Sequence, residues 1–171
     1  MTKKEREYAN YIEDHVSNVY KAFQLIGDEL RRDLSFDELE LVKRINTHDA
    51  SKWSEEEFEG YRQWFFPEEG EARDKNKFLE AWNHHFKNND HHHEFYVFTY
   101  AYMNGKTKYL AKEMPDAAIA EMMCDWAAMS MHFNTSLKEW YKNTNMLFND
   151  LTLKKINRVL LQRWADEIHK R

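Results

Sequence analysis

Proline, glycine and cysteine are scarce in this chain of 171 residues, which has two prolines, four glycines and one cysteine. So few turn-forming residues argue against a β-sandwich or a β-barrel, because both folds need many tight turns. The lone Cys124 excludes an internal disulfide framework and is typical of a protein from a reducing compartment. We therefore expect an all-α fold and a cytoplasmic location.

Long apolar runs and an excess of basic charge are also missing. No segment approaches the ~20 apolar residues of a membrane-spanning helix, and the charged start MTKKEREYANYIEDH lacks the apolar stretch of a signal peptide. The chain has 25 Lys and Arg residues against 30 Asp and Glu residues, a formal net charge of −5. A general nucleic-acid-binding protein is normally basic, so we expect binding neither to membranes nor to nucleic acid in general.

Apolar residues recur at helical spacing through the first third of the chain. They predict a first helix from about Lys4 to Arg31, with His15 inside its apolar stripe. Two S-x-x-E capping boxes, which begin at Ser35 and Ser54, predict the starts of a second and a third helix. Pro67 is expected to end the third helix, because proline cannot continue a helix interior.

The second predicted helix ends at an adjacent histidine and aspartate. Its inward face is predicted to carry Leu39, Val42 and Ile45, and the pair His48-Asp49 follows. Neighbouring His and Asp side chains at a helix end can both bind one ion, because the chain leaves helical geometry there and can aim them together.

The middle of the chain predicts a fourth helix from about Asp74 to Lys87, with His85 on its aromatic face. Residues 95–102 are aromatic and fit either a short helix or an extended segment. Asn104-Gly105 then predicts a turn.

Two more helices are predicted in the last third of the chain. One has Pro115 as its first residue, and its inward stripe is Ala118, Met122, Asp125, Met129 and His132. The other is capped by Asp150, and its inward residues are Leu153, Ile156, Leu160, Trp164 and Ile168. We find no internal repeat, so we predict one helical domain over residues 1–171.

Ionisable side chains occupy positions where the helical pattern expects apolar ones, namely His15, the pair His48-Asp49, and Asp125. A buried ionised carboxylate is very costly without a partner, and a metal ion is one of the few partners that several such groups can share. Imidazole and carboxylate ligands suit Mn, Fe, Co, Ni or Zn. No thiolate lies near the motif, so a structural zinc site of the cysteine type is excluded.

Five of the nine histidines fall within ten residues: His84, His85, His91, His92 and His93. Histidine is the commonest metal ligand, and His85 is the better candidate because it lies on an apolar face. His84 points to a neighbouring face and can hydrogen-bond behind the ligands. Each residue alone has an ordinary explanation, such as a solvated loop or a hydrogen-bonded core histidine, but their joint occurrence predicts a metal site.

The sequence resembles the HD superfamily of metal-dependent phosphohydrolases. The resemblance is carried by His15, HDASK at His48–Lys52, the pairs His84-His85 and His91-His92, and Asp125 in MMCDW. HDASK is similar to the HD-x-x-K signature of several branches, including the HD-GYP phosphodiesterases, although the GYP string is absent and the spacing of the histidines is shorter. The strings HDASKWSEEEF, AWNHHF and MCDWAAMS also resemble an uncharacterised family of phage and bacterial proteins with an HD-like fold.

The resemblance implies a single HD-type helical bundle with one or two metal ions held between its helices. A mononuclear site would use His15, His48, Asp49 and Asp125. A binuclear site would add His85 and one or both of His91 and His92, with Asp49 as the bridge. We favour two ions because histidines are so plentiful.

The implied function is hydrolysis of a small phosphorylated substrate, such as a nucleotide. Asp49 and Lys52 are the expected catalytic residues, with Lys52 stabilising charge that develops on the phosphoryl group. An exposed surface lysine without a catalytic role is an equally good interpretation of Lys52. Arg62 and Lys87 are further candidates for holding phosphate, and Glu94 or Glu121 for moving a proton or supporting a ligand.

Two other functions fit the same residues. One is a di-iron oxygenase of HD fold, and the other is a non-enzymatic, metal-stabilised module that binds a nucleotide or a protein. Trp53, Trp82 and Trp126 lie near the motifs, where they could stack on a base or simply belong to the core.

Overall fold

Seven α-helices and one β-hairpin make up the described part of the chain. The computed structural model describes the backbone of residues 1–103, 106–143 and 146–169, and the side chains of these residues except 100–103, 143 and 162–169. The elements are α1 (Lys3–Asp33), α2 (Glu38–Asn46), α3 (Phe58–Phe65), α4 (Lys75–Asn88), β1 (Val97–Met103), β2 (Lys106–Ala111), α5 (Asp116–His132), α6 (Leu137–Asn143) and α7 (Asp150–His169). The predicted all-α fold is confirmed, with a small hairpin added to it.

The longest helix, α1, begins at a capping box that the sequence pattern had not revealed. The Thr2 hydroxyl accepts a hydrogen bond from the Glu5 backbone N–H, and the Glu5 carboxylate accepts one from the Thr2 N–H. The apolar stripe of α1 packs against α5 and α7. Its buried residues are Tyr8, Ala9, Ile12, His15, Val19, Ala22, Phe23, Ile26, Gly27 and Leu30.

Helix α2 begins later than a capping box at Ser35 would predict. Its N-cap is Asp37, whose carboxylate accepts a hydrogen bond from a backbone N–H of the first turn. The buried pair is therefore Leu41 and Ile45, whereas Leu39 is 80% exposed. The prediction that Leu39 faces inward is wrong, because residues two apart lie ~200° apart around a helix.

Helix α3 begins at Phe58, so the predicted capping box of Ser54 and Glu57 does not form. The Ser54 backbone oxygen accepts hydrogen bonds from the N–H groups of Glu57 and Phe58, while the Glu57 side chain is buried in the interior. The helix ends at Phe65, just before Pro67, as predicted.

The aromatic segment that fitted either a helix or a strand divides between the two: Phe95 and Tyr96 end a 3-10 helix, His93–Tyr96, and the rest lies in β1 of the hairpin. It pairs antiparallel with β2, from Val97 opposite Ala111 to Met103 opposite Lys106. The turn predicted at Asn104-Gly105 lies outside the described residues.

Helix α5 is buried almost all round, because apolar residues cover most of its circumference. Twelve of its 17 residues are buried, so it forms the centre of the core, where it packs against α1, α2 and α6. Polar groups on such a helix need partners within the protein or an ion. This requirement applies to Glu121 and Asp125.

The C-terminal part of the described chain holds α6, which the sequence pattern had not predicted, and α7. Helix α7 begins at Asp150 and turns Ile156 and Leu160 into the core. The side chains of Trp164 and Ile168 lie outside the described ones. None of the helices in the described ranges is both long and apolar enough to cross a membrane.

The buried apolar residues form two clusters that meet on α1. The larger cluster joins α1 to α2, α5 and α7, and on α1 it begins at Val19. The smaller cluster joins the N-terminal half of α1 to α3 and α4, and on α1 its last buried member is Ile12. His15 lies between these two positions and therefore marks the junction of the clusters.

Candidate metal centre

Segments that are far apart in the sequence bring histidine and aspartate side chains into one cluster. Helix α1 supplies His15, the turn after α2 supplies His48 and Asp49, α4 supplies His85, the turn after α4 supplies His91 and His92, and α5 supplies Asp125. All seven residues predicted as ligands thus lie near one another. Most are buried, and His92 and Asp125 are partly exposed.

The pair His48-Asp49 sits where the chain leaves the helical direction. The His48 backbone N–H still bonds to the Ile45 oxygen, but Asp49 has φ +57° and ψ +20°. Aspartate tolerates this left-handed region better than most residues. A 3-10 turn, Ala50–Trp53, follows. Both side chains of the pair are only 2% exposed, so the change of direction aims them at the same part of the interior.

A first ligand group consists of His15, His48, Asp125 and the Oδ2 atom of Asp49. The His15 Nε2 atom lies 3.3 Å from His48 Nε2, 3.5 Å from Asp49 Oδ2 and 3.2 Å from Asp125 Oδ1. The His48 Nε2 atom lies 3.5 Å from Asp49 Oδ2 and 3.9 Å from Asp125 Oδ1. Metal–ligand bonds of ~2.0–2.2 Å place neighbouring ligand atoms ~2.8–3.6 Å apart, so four of these five distances fit around one ion.

A second ligand group consists of His85, His91, His92 and the Oδ1 atom of Asp49. Oδ1 lies 3.3 Å from His85 Nε2 and 3.4 Å from His91 Nε2, and the Nε2 atoms of His85 and His92 are 2.9 Å apart. One ligand atom from each of the four residues lies within 4.8 Å of all the others. These residues could hold a second metal ion, and Asp49 is shared between the two groups.

Two buried atoms of the second group have no hydrogen-bond partner among the described residues, namely Asp49 Oδ1 and His91 Nε2. A buried polar atom without a partner costs ~1–3 kcal/mol. A metal ion between these atoms would satisfy both of them. The donor set and the unpartnered atoms therefore fit a metal ion.

A buried carboxylate behind the ligands, Glu121 of α5, orients two of the histidines. Its Oε1 atom accepts a hydrogen bond from Nδ1 of His48 at 2.9 Å and lies 3.2 Å from Nδ1 of His91. Arg44 donates to Glu121 Oε2 at 2.9 Å and also pairs with Asp90. A carboxylate that binds Nδ1–H leaves the Nε2 lone pair for a metal. We therefore assign Glu121 to holding these imidazoles.

A second carboxylate, Glu57, plays the same part on the other side of the centre. It is 0% exposed, and its two oxygens accept hydrogen bonds from Nδ1 of His84 and Nδ1 of His85, each at 2.8 Å. The sequence pattern had assigned Glu57 to a helix cap. Glu57 follows two other glutamates, so the sequence does not single it out. The signal that could have indicated such a carboxylate was the pair His84-His85, because two adjacent imidazoles need a hydrogen-bond acceptor.

The carboxylates change the protonation of the buried histidines. Burial alone would lower the pKa of His15, but hydrogen bonds to Asp125 and Asp49 raise it to about 9. Burial also opposes protonation of His91, but the neighbouring carboxylates of Asp49 and Glu121 raise its pKa to about 10. Burial would raise the pKa of Asp125, but the hydrogen bond from His15 holds it well below its usual range. Without a metal ion, the cluster thus holds protons at neutral pH.

Lys52 lies at the centre of the cluster and is not a surface residue. Its side chain is 15% exposed, and its Nζ atom is 2.6 Å from Asp49 Oδ2. Burial lowers the pKa of Lys52, but the neighbouring Asp49 carboxylate outweighs burial and raises it. Lys52 is therefore a charged group beside Asp49, the residue that the two ligand groups share.

The other charged candidates from the sequence lie in different places. Arg62 is buried, and its guanidinium donates to both Glu59 and Glu71, so it is a structural residue and does not hold phosphate. Lys87 is exposed on α4. Glu94 lines the cavity beside the centre.

A cavity of about 300 Å³ opens onto both ligand groups, at His15, Asp49, His85, His92 and Asp125. Its walls are mainly aromatic. The aromatic lining residues are Tyr8, Tyr11, Tyr61, Phe65, Phe78, Trp82, Trp126 and Trp140. Of the tryptophans near the motifs, Trp82 and Trp126 thus line the cavity, while Trp53 is not among the lining residues and is 47% exposed.

Residues 4–166 match the model of a protein family whose description is "Family of unknown function (DUF5662)". The match covers almost the whole chain, so the chain belongs to this family. No curated protein and no solved structure matches the chain. Its function must therefore be argued from the centre itself.

Proposed function

We propose that this member of the DUF5662 family binds two divalent transition-metal ions and hydrolyses a small phosphate ester. The observation that carries the proposal is the position of Asp49. Its Oδ2 atom faces His15 and His48 at 3.5 Å, and its Oδ1 atom faces His85 at 3.3 Å and His91 at 3.4 Å. A carboxylate placed in this way can bridge two ions, and two-metal sites are common in enzymes that cleave phosphate esters.

The ligand types restrict the ions. Imidazole nitrogens and carboxylate oxygens suit Mn, Fe, Co, Ni or Zn, whereas thiolates would favour softer ions. Cys124 is fully buried within the larger apolar cluster. We therefore expect one of these five metals, with His15, His48, Asp49 and Asp125 around one ion and Asp49, His85, His91 and His92 around the other.

Two such ions, when bound, supply a water acidified towards neutral pH and positive charge beside the phosphoryl oxygens. In the overall reaction, water adds to phosphorus, the ester P–O bond breaks, and the leaving oxygen takes up the proton that water loses. Glu121 and Glu57 keep the imidazole Nε2 atoms turned towards the ions. An ammonium group has three N–H donors, so Lys52 can hold Asp49 and also stabilise charge on the phosphoryl group.

The resemblance to the HD superfamily supports the same proposal. The resemblance implies His48, Asp49 and Asp125 as ligands, with a further histidine from an earlier or intervening helix, and the chain offers His15 and His85 in these places. The hydrogen bonds that Glu57 and Glu121 accept from imidazole Nδ1 atoms add support that does not depend on the resemblance, because they orient the imidazoles for metal binding.

The composition of the cavity favours one alternative, a di-iron oxygenase acting on an apolar substrate. Among the described lining residues, Lys52 is the one lysine or arginine, and it is already paired with Asp49. An oxygenase substrate would need no further positive charge in the protein. The identity of the bound metal separates the two functions.

The test is metal analysis of the purified protein, followed by reconstitution with each of the five metals and assay on a panel of phosphate esters. We expect two ions per chain and release of phosphate, and we expect Asp49→Ala to lose both. The control is Asp14→Ala, because Asp14 is exposed on α1 beside the buried His15. Two bound irons with oxygen consumption and no phosphate release would support the oxygenase instead. Bound metal without either reaction would leave a metal-stabilised binding module.

A further inference from the structure

Arg44, in the last turn of α2, joins two carboxylates that come from different parts of the chain. Its Nε atom donates to Oε2 of Glu121 on α5 at 2.9 Å, and one of its terminal nitrogens donates to Oδ1 of Asp90 in the turn after α4. The Arg44 side chain is 21% exposed, and that of Glu121 only 6%. The guanidinium therefore connects three segments at the edge of the metal centre.

The bond to Glu121 gives Arg44 an influence on both ligand groups. The Oε1 atom of Glu121 lies 2.9 Å from Nδ1 of His48 and 3.2 Å from Nδ1 of His91, while its Oε2 atom binds Arg44. His48 belongs to the first ligand group and His91 to the second. Because Arg44 fixes Oε2, the other oxygen stays between the two imidazoles. An ionised carboxylate this deeply buried also needs a charged partner, which Arg44 supplies.

The bond to Asp90 holds the turn that carries two histidines of the second group. Asp90 comes directly before His91 and His92. Its Oδ1 atom accepts a hydrogen bond from Arg44, and its Oδ2 atom accepts one from the Tyr96 hydroxyl at 3.4 Å. Arg44 thus ties this turn to α2, the helix that leads into His48 and Asp49.

The shape of the side chain suits this connection. A guanidinium has five N–H donors in one rigid plane, so it can hold two carboxylates in a fixed relation to each other. Exposed ion pairs contribute little to stability. Arg31 forms such pairs, with Asp28 and Glu38, whose side chains are 94% and 49% exposed. Arg44 differs because one of its partners is buried against the imidazoles.

We propose that Arg44 is a positioning residue for both metal ions. Through Glu121 it fixes His48 and His91, and through Asp90 it fixes the turn that carries His91 and His92. The first ion therefore depends on Arg44 by one route, and the second ion by two. This inference rests on the metal binding proposed above and does not depend on hydrolysis.

The test compares Arg44→Met with Asp90→Asn by titrating metal-free protein with cobalt(II) against a competing chelator. We expect Arg44→Met to lower the affinity for both ions ~10-fold, the smaller effect that follows loss of a partner behind a metal ligand. Asp90→Asn leaves Arg44 bound to Glu121, so we expect it to lower the affinity for one ion only. The visible absorption of bound cobalt depends on the arrangement of its ligands, so we also expect an altered spectrum in Arg44→Met.

The matched control is Arg31→Met, which removes an arginine that also binds two carboxylates. It should keep the wild-type affinities and spectrum. Wild-type affinities in Arg44→Met would overturn the inference, even with a lowered Tm, because Arg44 would then only stabilise the fold. If Arg44→Met does not fold, Asp90→Asn still decides, since unchanged affinities in it would remove the route through the turn.

The outcomes also separate this inference from the hydrolase. Two bound ions, the expected pattern of variants and no phosphate release would uphold the role of Arg44 while the hydrolase proposal fails. Phosphate release by a protein whose Arg44→Met variant binds both ions as the wild type does would have the opposite meaning. Equal losses for both ions in Arg44→Met and Asp90→Asn would overturn the separation into two routes.

Discussion

The Nε2 atom of His91 lies 3.4 Å from Oδ1 of Asp49, and neither atom has a hydrogen-bond partner among the described residues. On the other side of the ring, the Nδ1 atom of His91 lies 3.2 Å from Oε1 of Glu121. The imidazole is thus oriented towards an oxygen to which it does not bond. This arrangement is expected if an ion belongs between the two atoms, and it motivates the following predictions.

Substituting a histidine of one ligand group should remove the ion of that group and leave the other ion bound. We expect His85→Ala to lower metal content from two ions per chain to one, and His15→Ala to do the same, because each histidine serves only one group. Elemental analysis together with circular dichroism tests this while checking the fold. His132→Ala is the control, because His132 is exposed at the end of α5 and not on the inward stripe that the sequence pattern predicted for it. An unchanged metal content in His85→Ala would reduce the centre to the first ligand group.

Chelation should destabilise the wild type more than an Asp125 variant. Metal removal leaves the Asp125 carboxylate beside His15 without its ion, and ligand at 100 times its Kd contributes ~2.7 kcal/mol to stability. For a chain of this size, that loss corresponds to a decrease in Tm of ~5–10 °C. Asp125→Asn keeps the volume but weakens metal binding, so its Tm should respond less to chelator.

Thermal melts of both proteins with and without chelator decide this point. Asp14→Asn, on the exposed face of α1, should keep the full wild-type response. Equal chelator shifts in wild type and Asp125→Asn would mean that Asp125 is a structural residue.

The two supporting carboxylates should affect different numbers of ions. Glu57 holds only His85 among the ligand candidates, whereas Glu121 holds His48 of the first group and His91 of the second. Loss of such a partner typically lowers metal affinity ~10–100-fold. We expect Glu57→Gln to lower the affinity for one ion by this factor, and Glu121→Gln to lower the affinity for both ions. Competition titrations with a fluorescent chelator would show the difference, and an effect of Glu57→Gln on both ions would contradict it.

Lys52 should contribute to turnover without holding metal. We expect Lys52→Met to lower kcat ~10²–10³-fold, as loss of one group that stabilises transition-state charge does, with metal content unchanged. Steady-state kinetics on the best ester of the panel gives the comparison. Lys87→Met tests the other lysine suggested by the sequence, and because Lys87 is exposed on α4 we expect no change. Equal effects of the two substitutions would exclude a catalytic role for Lys52.

Metal binding should release protons at neutral pH. Burial opposes protonation of both imidazoles, but the neighbouring carboxylates raise the pKa of His15 to about 9 and that of His91 to about 10 in the metal-free protein. Both imidazoles must lose a proton to bind a metal. The apparent affinity should therefore increase with pH up to this range. Calorimetry in two buffers of different ionisation enthalpy counts the protons, and equal heats would contradict the prediction.

The metal-free protein should show the opposite trend in stability. A raised histidine pKa contributes stability that is complete below the unfolded value of ~6.5 and is lost as pH rises through the folded value. For His15 and His91 that loss is expected between neutral pH and about 10. Melts of chelated protein across this range should show a decreasing Tm.

The sequence pattern determined the helices and the candidate ligands. The spacing of apolar residues predicted α1, α3, α4, α5 and α7, because a helix period depends on neighbours three and four residues apart. Polar residues inside those stripes, such as His15 and Asp125, could be recognised because they break a local pattern. Leu39 was assigned to the wrong face because Leu39 and Leu41 can each start an apolar stripe that includes Ile45, and only the packing of α2 selects Leu41.

Tertiary structure alone decided the arrangement of the centre. Which oxygen of Asp49 faces which histidines follows from its left-handed backbone and from the packing of α1 and α4 around it. Glu57 had no sequence signal of its own, since it follows two other glutamates, and the sequence offered Glu121 as one candidate among several without indicating its partners. Their partners, His85 and His48, are 28 and 73 residues away along the chain. No periodicity within a helix can report such contacts, because they depend on how the helices pack.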